Sequence, residues 1–338
     1  MTKNKNIYII YTGGTIGMKK SFEGYVPEAG LLTKIMQSMP EFKHQDMPEY
    51  TINEYTPLID SSNMQPAHWQ LIADDIAKNY DEYDGFLILH GTDTMAYTAS
   101  ALSFMLSNLA KPVILTGAQV ALIETHTDAR ENLIMAILMA ANPNIHEVCI
   151  YFNNLLLRGN RSSKINAFSF AAFGSPNFPA LAKVGIAIKY RKELLLPKPS
   201  TSLNVQQINT ISIAQFVLFP GMDLHNLEQI ILQKPRAIIL HTYGVGNAPT
   251  SDPKLLALLT HAKTLNILII NHTQCHKGSV AMHSYATGYA LSEHGVISAY
   301  DMTIEAITTK LMVLFSQYQE TSQVAALFEK NMCGEVTI

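Results

Sequence analysis

Two apolar runs, Ile7-Tyr8-Ile9-Ile10-Tyr11 and Phe86-Leu87-Ile88-Leu89, are too short for a helix and too continuous for a strand with one face in water. Each predicts a strand buried on both faces, the mark of a parallel sheet covered by helices. The segments after them are also alike: Thr12-Gly13-Gly14-Thr15-Ile16-Gly17 after the first, His90-Gly91-Thr92-Asp93-Thr94 after the second. Glycine at the carboxyl end of a strand lets backbone approach a ligand, while threonine hydroxyls and a carboxylate supply polar contacts. The pair of strand ends predicts a site for a small polar substrate.

The remaining chain alternates in the same way. Pro66 sits where a first helical turn tolerates proline, and Trp69, Ile72, Ala73, Ile76 and Tyr80 then mark one helical face. A helix from about residue 96 to 109, a third buried strand Pro112-Val113-Ile114-Leu115 ending in Thr116-Gly117-Ala118-Gln119, a helix over 128–141 and a strand over 147–152 complete the series. Right-handed crossovers make this a doubly wound, mostly parallel sheet. Met18 to Glu28, carrying Phe22 and Tyr25, reads as a loop over the end of the first strand. At 338 residues the chain exceeds what one core usually supports. Charges and prolines over 190–209 predict a linker between an N-terminal α/β domain, 1–189, and a smaller C-terminal α/β domain, 210–338. In the latter, strands are expected near 211–219, 236–240 and 267–271, and helices near 224–233, 252–265, 303–317 and 322–330.

Composition removes several classes of function. Net charge is −3 and charged residues make up 15%, with no basic stripe, so a nucleic-acid partner is not expected. No run approaches the roughly 20 apolar residues of a membrane span. Lys3 and Lys5 precede an apolar run of only five residues, short of a signal peptide. Cys149, Cys275 and Cys333 have no framework spacing and read as reduced thiols, which with the missing leader predicts a cytoplasmic protein. The glycine turns lack the Gly-Lys-Ser/Thr of a P-loop and the spacing of a dinucleotide turn. On spacing alone Asp60, Ser61 and Ser62 read as helix capping, and Arg158, Arg161 and Lys164 as a solvated basic face. His272, Cys275, His276 and His283 match no standard zinc spacing, so no metal is expected.

The two glycine–threonine segments resemble the signature segments of the bacterial-type L-asparaginase family. The likeness continues through Leu58-Ile59-Asp60-Ser61-Ser62, Thr116-Gly117-Ala118-Gln119, Arg158 to Lys164 and Tyr243-Gly244-Val245-Gly246-Asn247, in order along essentially the whole chain. Its missing leader is similar to the cytoplasmic type I branch. The resemblance implies a cofactor-free hydrolase converting L-asparagine and water to L-aspartate and ammonia. Thr15 is the implied nucleophile, with Tyr25 as its proton partner and Thr92, Asp93 and Lys164 as a second relay. A threonine hydroxyl is a poor nucleophile unless a partner takes its proton and donors stabilise the oxyanion, so the residue types suit the chemistry. Whether a covalent ester forms on Thr15, or a water activated by Thr92 attacks directly, stays open at this level. For substrate binding the likeness implies Ser61 at the α-carboxylate, Ser62 near the α-ammonium and Asp93 pairing that ammonium, with Asp60 and Thr92 also among the binding residues and Asn247 reaching a neighbouring subunit's pocket in a homodimer or homotetramer. Asn63 stands where an aspartate is expected. His241 replaces an arginine of the regulatory asparagine site that some type I relatives carry, where Cys275 matches. An asparaginase-like amidotransferase subunit and a non-catalytic amino-acid-binding module are the alternative readings.

Overall fold

The computed structural model describes residues 5–22 and 24–338; Lys3 and Glu23 lie outside them. The chain divides into two compact units, 1–206 and 207–338.

The first unit is built on eight strands: β1 (Asn6–Tyr11), β2 (Glu49–Glu54), β3 (Gly85–Leu89), β4 (Val113–Thr116), β5 (Val148–Phe152), β6 (Leu155–Arg158), β7 (Ala182–Lys183) and β8 (Lys189–Tyr190). They lie in the order β8-β7-β6-β5-β4-β3-β1-β2. Strands β2 to β5 are parallel with β1, and β6 to β8 extend the sheet antiparallel. The runs that read as doubly buried are so: every residue of β3, β4 and β5 is buried.

Helices cover both faces. Ile7, Ile9 and Tyr11 pack with Leu32 and Met36 of α1 (Leu31–Ser38) and with Leu133, Ala136, Ile137 and Ala140 of α4 (Ala129–Ala140). Alternate side chains point the other way. There Tyr8 Oη donates to Asp75 of α2 (Pro66–Lys78), 3.2 Å away. Helix α2 buries Trp69, Ile72, Ala73 and Ile76 as its periodicity predicts, whereas Tyr80 lies beyond its last residue. Helix α3 (Met95–Met105) is buried nearly all round.

The parallel strands run 2-1-3-4-5, so the direction of winding reverses between β1 and β3. Ligands of open α/β sheets bind at the carboxyl ends of strands flanking such a reversal. The two glycine–threonine segments are the connections leaving β1 and β3.

Three features differ from the sequence reading. Residues Met18–Ser21 and Gly24–Pro27 form an antiparallel hairpin with Lys20 opposite Tyr25, not a loop; being solvated on both sides it lacks the alternation that betrays a strand. The 190–209 stretch is not free chain for most of its length. Tyr190 lies in β8, Leu194 and Leu195 pack on the core, and Asn204–Val205 pairs antiparallel with Leu106–Ser107. Third, Arg158 and Arg161 are buried instead of solvated: Arg158 Nε donates to Glu147 at 2.6 Å, and both guanidiniums lie over the Phe178 ring.

The second unit has four parallel strands in sequential order, β9 (Ile213–Val217), β10 (Ala237–Thr242), β11 (Leu268–Thr273) and β12 (Val296–Ser298). Its helices are α5 (Leu224–Leu232), α6 (Pro253–Thr264), α7 (Ala286–Glu293), α8 (Ile304–Gln317) and α9 (Thr321–Phe328). Strand β12 and helix α7 are additions to the sequence reading. Both are short, and neither carries a long apolar period. No described helix is long and apolar enough to cross a membrane.

Candidate active site

The connections leaving β1 and β3 are in direct contact. A Cβ placed on Gly14 would stand 2.5 Å from the Cα and nitrogen of Gly91, a distance no real side chain tolerates, and Gly14 has φ +94°. Glycine is therefore required at 14 for the two backbones to meet. A Cβ on Gly91 would in turn collide with Ser61, and one on Gly13 with the Ile59 carbonyl. The contact is stitched by hydrogen bonds: Thr12 N donates to Leu89 O (3.0 Å), Ile59 N to Thr12 O (2.7 Å) and Thr94 Oγ1 to Ser61 O (2.6 Å). Segments near residues 13, 60 and 91 thus share one cradle, with Thr15 and Thr92 each one position past the touching glycines.

Helix α3 begins directly after Thr94, and α2 shortly after the 3₁₀ turn of Ser61–Asn63. Helix N-termini favour negative charge, which suits a carboxylate or an oxyanion between them. Asp60 serves as the cap its spacing predicts: its Oδ1 accepts from Ser62 N and Ser62 Oγ, both at 2.9 Å. Ser61 is buried against Gly91, while Asp60 and Ser62 are exposed.

Lys164 is the hub. Its Nζ donates to Thr92 Oγ1 at 2.9 Å and to Asp93 Oδ1 at 2.7 Å. The Asp93 side chain is 63% exposed and that of Lys164 only 21%. Asp93 is therefore open to solvent and still carries a counter-charge. Thr92 Oγ1 donates onward to Gln119 Oε1 at 3.1 Å, and Gln119 Nε2 donates to the carbonyls of Ala167 and Ser169. Sequence reasoning gives Gln119 no role of its own. A signal is there, since it follows the carboxyl end of β4 just as Thr92 follows that of β3. Asp128 anchors that turn by accepting from the backbone of Gln119 and Val120, and burial raises its carboxyl above the usual range.

Tyr25 lies on the hairpin, 43% exposed, and its Oη donates to Glu124 Oε1 at 3.0 Å. That hydrogen bond raises its phenol above the ordinary value. Among the described residues no hydrogen bond joins Tyr25 to Thr15. Asn247 belongs to the second unit, where its Oδ1 accepts from Thr287 Oγ1 at 2.6 Å. His272 and His241 face each other there, Nδ1 to Nδ1 at 3.1 Å, and no described group of three or more His, Cys, Asp or Glu residues is placed to hold a metal.

Two hydroxyls, one paired with a lysine, a carboxylate with free capacity and two helix N-termini meet at the sheet's winding reversal, where open α/β sheets bind ligands, so these residues form the candidate active site. The chain belongs to the asparaginase family: residues 6–196 match the model "Asparaginase, N-terminal" and residues 212–328 the "Glutaminase/Asparaginase C-terminal domain". It is 48% identical to L-asparaginase 1 of Escherichia coli (strain K12), over 99% of each chain. Its structure is similar to that of L-asparaginase I from Vibrio cholerae, with a TM-score of 0.93 at 50% identity, covering 99% of this chain and 100% of the other. It also resembles the thermostable L-asparaginase of Thermococcus kodakarensis, with a TM-score of 0.89 at 30% identity over 98% and 99% of the two chains.

Proposed function

We propose that this chain is an L-asparaginase that hydrolyses L-asparagine to L-aspartate and ammonia, with Thr15 as nucleophile. The observation that carries the reading is Lys164 Nζ bonded at once to Thr92 Oγ1 and Asp93 Oδ1 beside the Gly14–Gly91 contact. Asparagine brings an ammonium for Asp93, with Ser62 beside it, and an α-carboxylate for Ser61 at the N-terminal end of α2, with Asp60 holding the serine turn. This charge pairing fixes the side-chain amide near the two threonines.

In the first half-reaction Thr15 Oγ adds to the amide carbon and its proton passes to Tyr25, which the hairpin brings in. Thr15 N–H and Thr92 N–H stabilise the oxyanion. As Tyr25 Oη receives that proton it hands its own hydroxyl proton to the leaving nitrogen, the C–N bond breaks, and ammonia departs from an aspartyl ester on Thr15. In the second half, with Lys164 Nζ as the free amine, water passes a proton through Thr92 Oγ1 to Lys164 and attacks the ester, and as the ester C–O bond breaks that proton returns to Thr15 Oγ, releasing aspartate and restoring the Thr15 hydroxyl. Side chains and water balance every step, so the reaction calls for no cofactor. The working form is a cytoplasmic homodimer or homotetramer in which Asn247 completes a neighbouring subunit's pocket.

The test is ammonia release by Thr15→Ala. A fall of roughly 10³-fold or more in kcat with unchanged folding is expected of a lost nucleophile. Retained turnover in that variant would remove Thr15 from the role. Binding of asparagine by the wild type without ammonia release would make the chain an amino-acid-binding module instead.

A further inference from the structure

Behind the cradle lies a buried hydrogen-bond chain that the proposed reaction does not use. Trp69 Nε1 of α2 donates to Thr98 Oγ1 of α3 at 3.0 Å. Thr98 Oγ1 lies 2.9 Å from His90 Nε2, and His90 Nδ1 lies 2.7 Å from the carbonyl oxygen of Gly91. Trp69 is 5% exposed, and Thr98 and His90 are wholly buried.

The proton positions follow from the chemistry of the ends. A carbonyl oxygen only accepts, so His90 Nδ1 must carry the hydrogen. Burial lowers the imidazole pKa to about 4, which keeps the ring neutral and leaves Nε2 bare. Thr98 then donates its single proton to Nε2, and its lone pairs receive the indole N–H, which can only donate. The chain therefore has one consistent direction, from Trp69 through Thr98 and His90 to the Gly91 carbonyl.

The peptide joining Gly91 to Thr92 is planar, so its C=O and its N–H point in opposite directions. Fixing the carbonyl toward the buried imidazole fixes the Thr92 N–H away from it. That N–H donates to no acceptor among the described residues. The hydroxyl of the same residue, Thr92 Oγ1, accepts from Lys164.

We infer that Trp69, Thr98 and His90 are positioning residues that lock the Gly91–Thr92 peptide and thereby aim the Thr92 N–H at the oxyanion. The inference rests on the proposed hydrolase reading, in which that N–H is an oxyanion donor. A donor fixed before the substrate arrives costs no reorganisation during the reaction, and this is where such donors gain their effect.

Thr98→Val tests it, because the two side chains have nearly the same shape and only the hydroxyl is lost. Without that proton His90 Nε2 has no donor and the ring is no longer held at that end, so it can turn off the Gly91 carbonyl, which then loses its partner. The oxyanion contact forms mainly in the transition state, so kcat should fall about 10- to 30-fold with KM within about twofold. Thr98→Ser, which restores the donor, should return most of the rate. Two-bond ¹⁵N–¹H spectra of histidine-labelled protein, with His90 assigned through His90→Asn, read the tautomer directly and separate this role from general packing. The wild type should carry its proton on Nδ1, and in Thr98→Val the Nδ1 and its proton should shift away from their carbonyl-bonded positions as the ring slips off the Gly91 oxygen. A wild-type proton on Nε2 overturns the inference whether or not the variant folds, and so does a folded Thr98→Val with unchanged kcat. A wild type that releases no ammonia overturns the hydrolase reading and this role with it, whereas an active enzyme indifferent to Thr98→Val overturns the role alone.

Discussion

Two lysine–carboxylate pairs, one in each unit, show what separates a clamp from a site. Lys310 and Glu335 are both wholly buried. The Lys310 ammonium donates to the carbonyls of Phe328 (2.8 Å) and Lys330 (2.6 Å) as well as to Glu335, so its three protons are all engaged. Glu335 also accepts from Met332 N and Cys333 N, and the whole arrangement ties α8 to the C-terminal segment. Lys164 makes two donations, to Thr92 and Asp93, and its carboxylate partner is mostly exposed. The first pair is saturated and has nothing left for a ligand. The second retains capacity on both partners, and one of its contacts is a hydroxyl with chemistry to perform.

The comparison breaks most visibly at Lys310. Lys310→Met leaves the Glu335 charge buried without its cation, which costs about 3–5 kcal/mol. Urea unfolding should register that loss, and Lys310→Met/Glu335→Leu should recover part of it. A single variant as stable as wild type would show that the pair is no clamp. Lys164→Met should do the reverse. Its kcat should fall roughly 10²- to 10³-fold, the scale of a lost acid–base partner, with unfolding midpoints near those of wild type because the pair is partly solvated. A large loss of stability with modest loss of rate would make Lys164 structural.

How much of this can be read from sequence divides along a physical line. The parallel strands and their glycine turns are legible because double burial forces continuous apolar runs and close backbone contact forces glycine, as at Gly14 and Gly91. The antiparallel extension at β7 and β8 and the hairpin around Tyr25 are not, since two-residue strands and a ribbon wet on both sides leave no period to detect. In the site, the residue types at 92, 93 and 164 point to chemistry, but only the fold puts residue 164 beside residue 92. Gln119 escapes for the same reason: its partner is 27 residues away and no local pattern encodes the bond. Arg158 and Arg161 mislead because charge predicts solvent, whereas Glu147 and the Phe178 ring sit where they can receive the guanidiniums inside.

Two histidines sharpen the contrast between units through pH. Burial lowers His90 of the first unit to about 4, and burial with the nearby His241 lowers His272 of the second to about 4, from an ordinary 6.5. Each ring is neutral in the folded chain down to that value but takes a proton near 6.5 once unfolded. Between pH 6.5 and 4 the unfolded chain binds more protons, so stability falls as pH drops through that window and is complete above it. Each histidine accounts for roughly 2–3 kcal/mol of that fall. Urea titrations at pH 7, 5.5 and 4.5 should show the decline, and His272→Asn should flatten it. A curve as steep in that variant as in wild type would assign the whole effect to other groups.

The smallest expected effect lies at the edge of the site. Tyr25 reaches Glu124 across 99 residues of sequence, yet the bond is exposed, and exposed polar contacts contribute little. Glu124→Gln keeps an oxygen acceptor for the phenol and removes only the charge, so the tyrosine pKa should move back toward its ordinary value. If Tyr25 takes the Thr15 proton by swinging in with the hairpin, the Glu124 contact is one it must leave, and weakening it should change kcat by less than about threefold. Steady-state ammonia release by Glu124→Gln beside wild type measures this. A loss above tenfold would mean that the hairpin works from the position Glu124 gives it, and that a half-buried carboxylate belongs with Lys164 among the groups the reaction depends on.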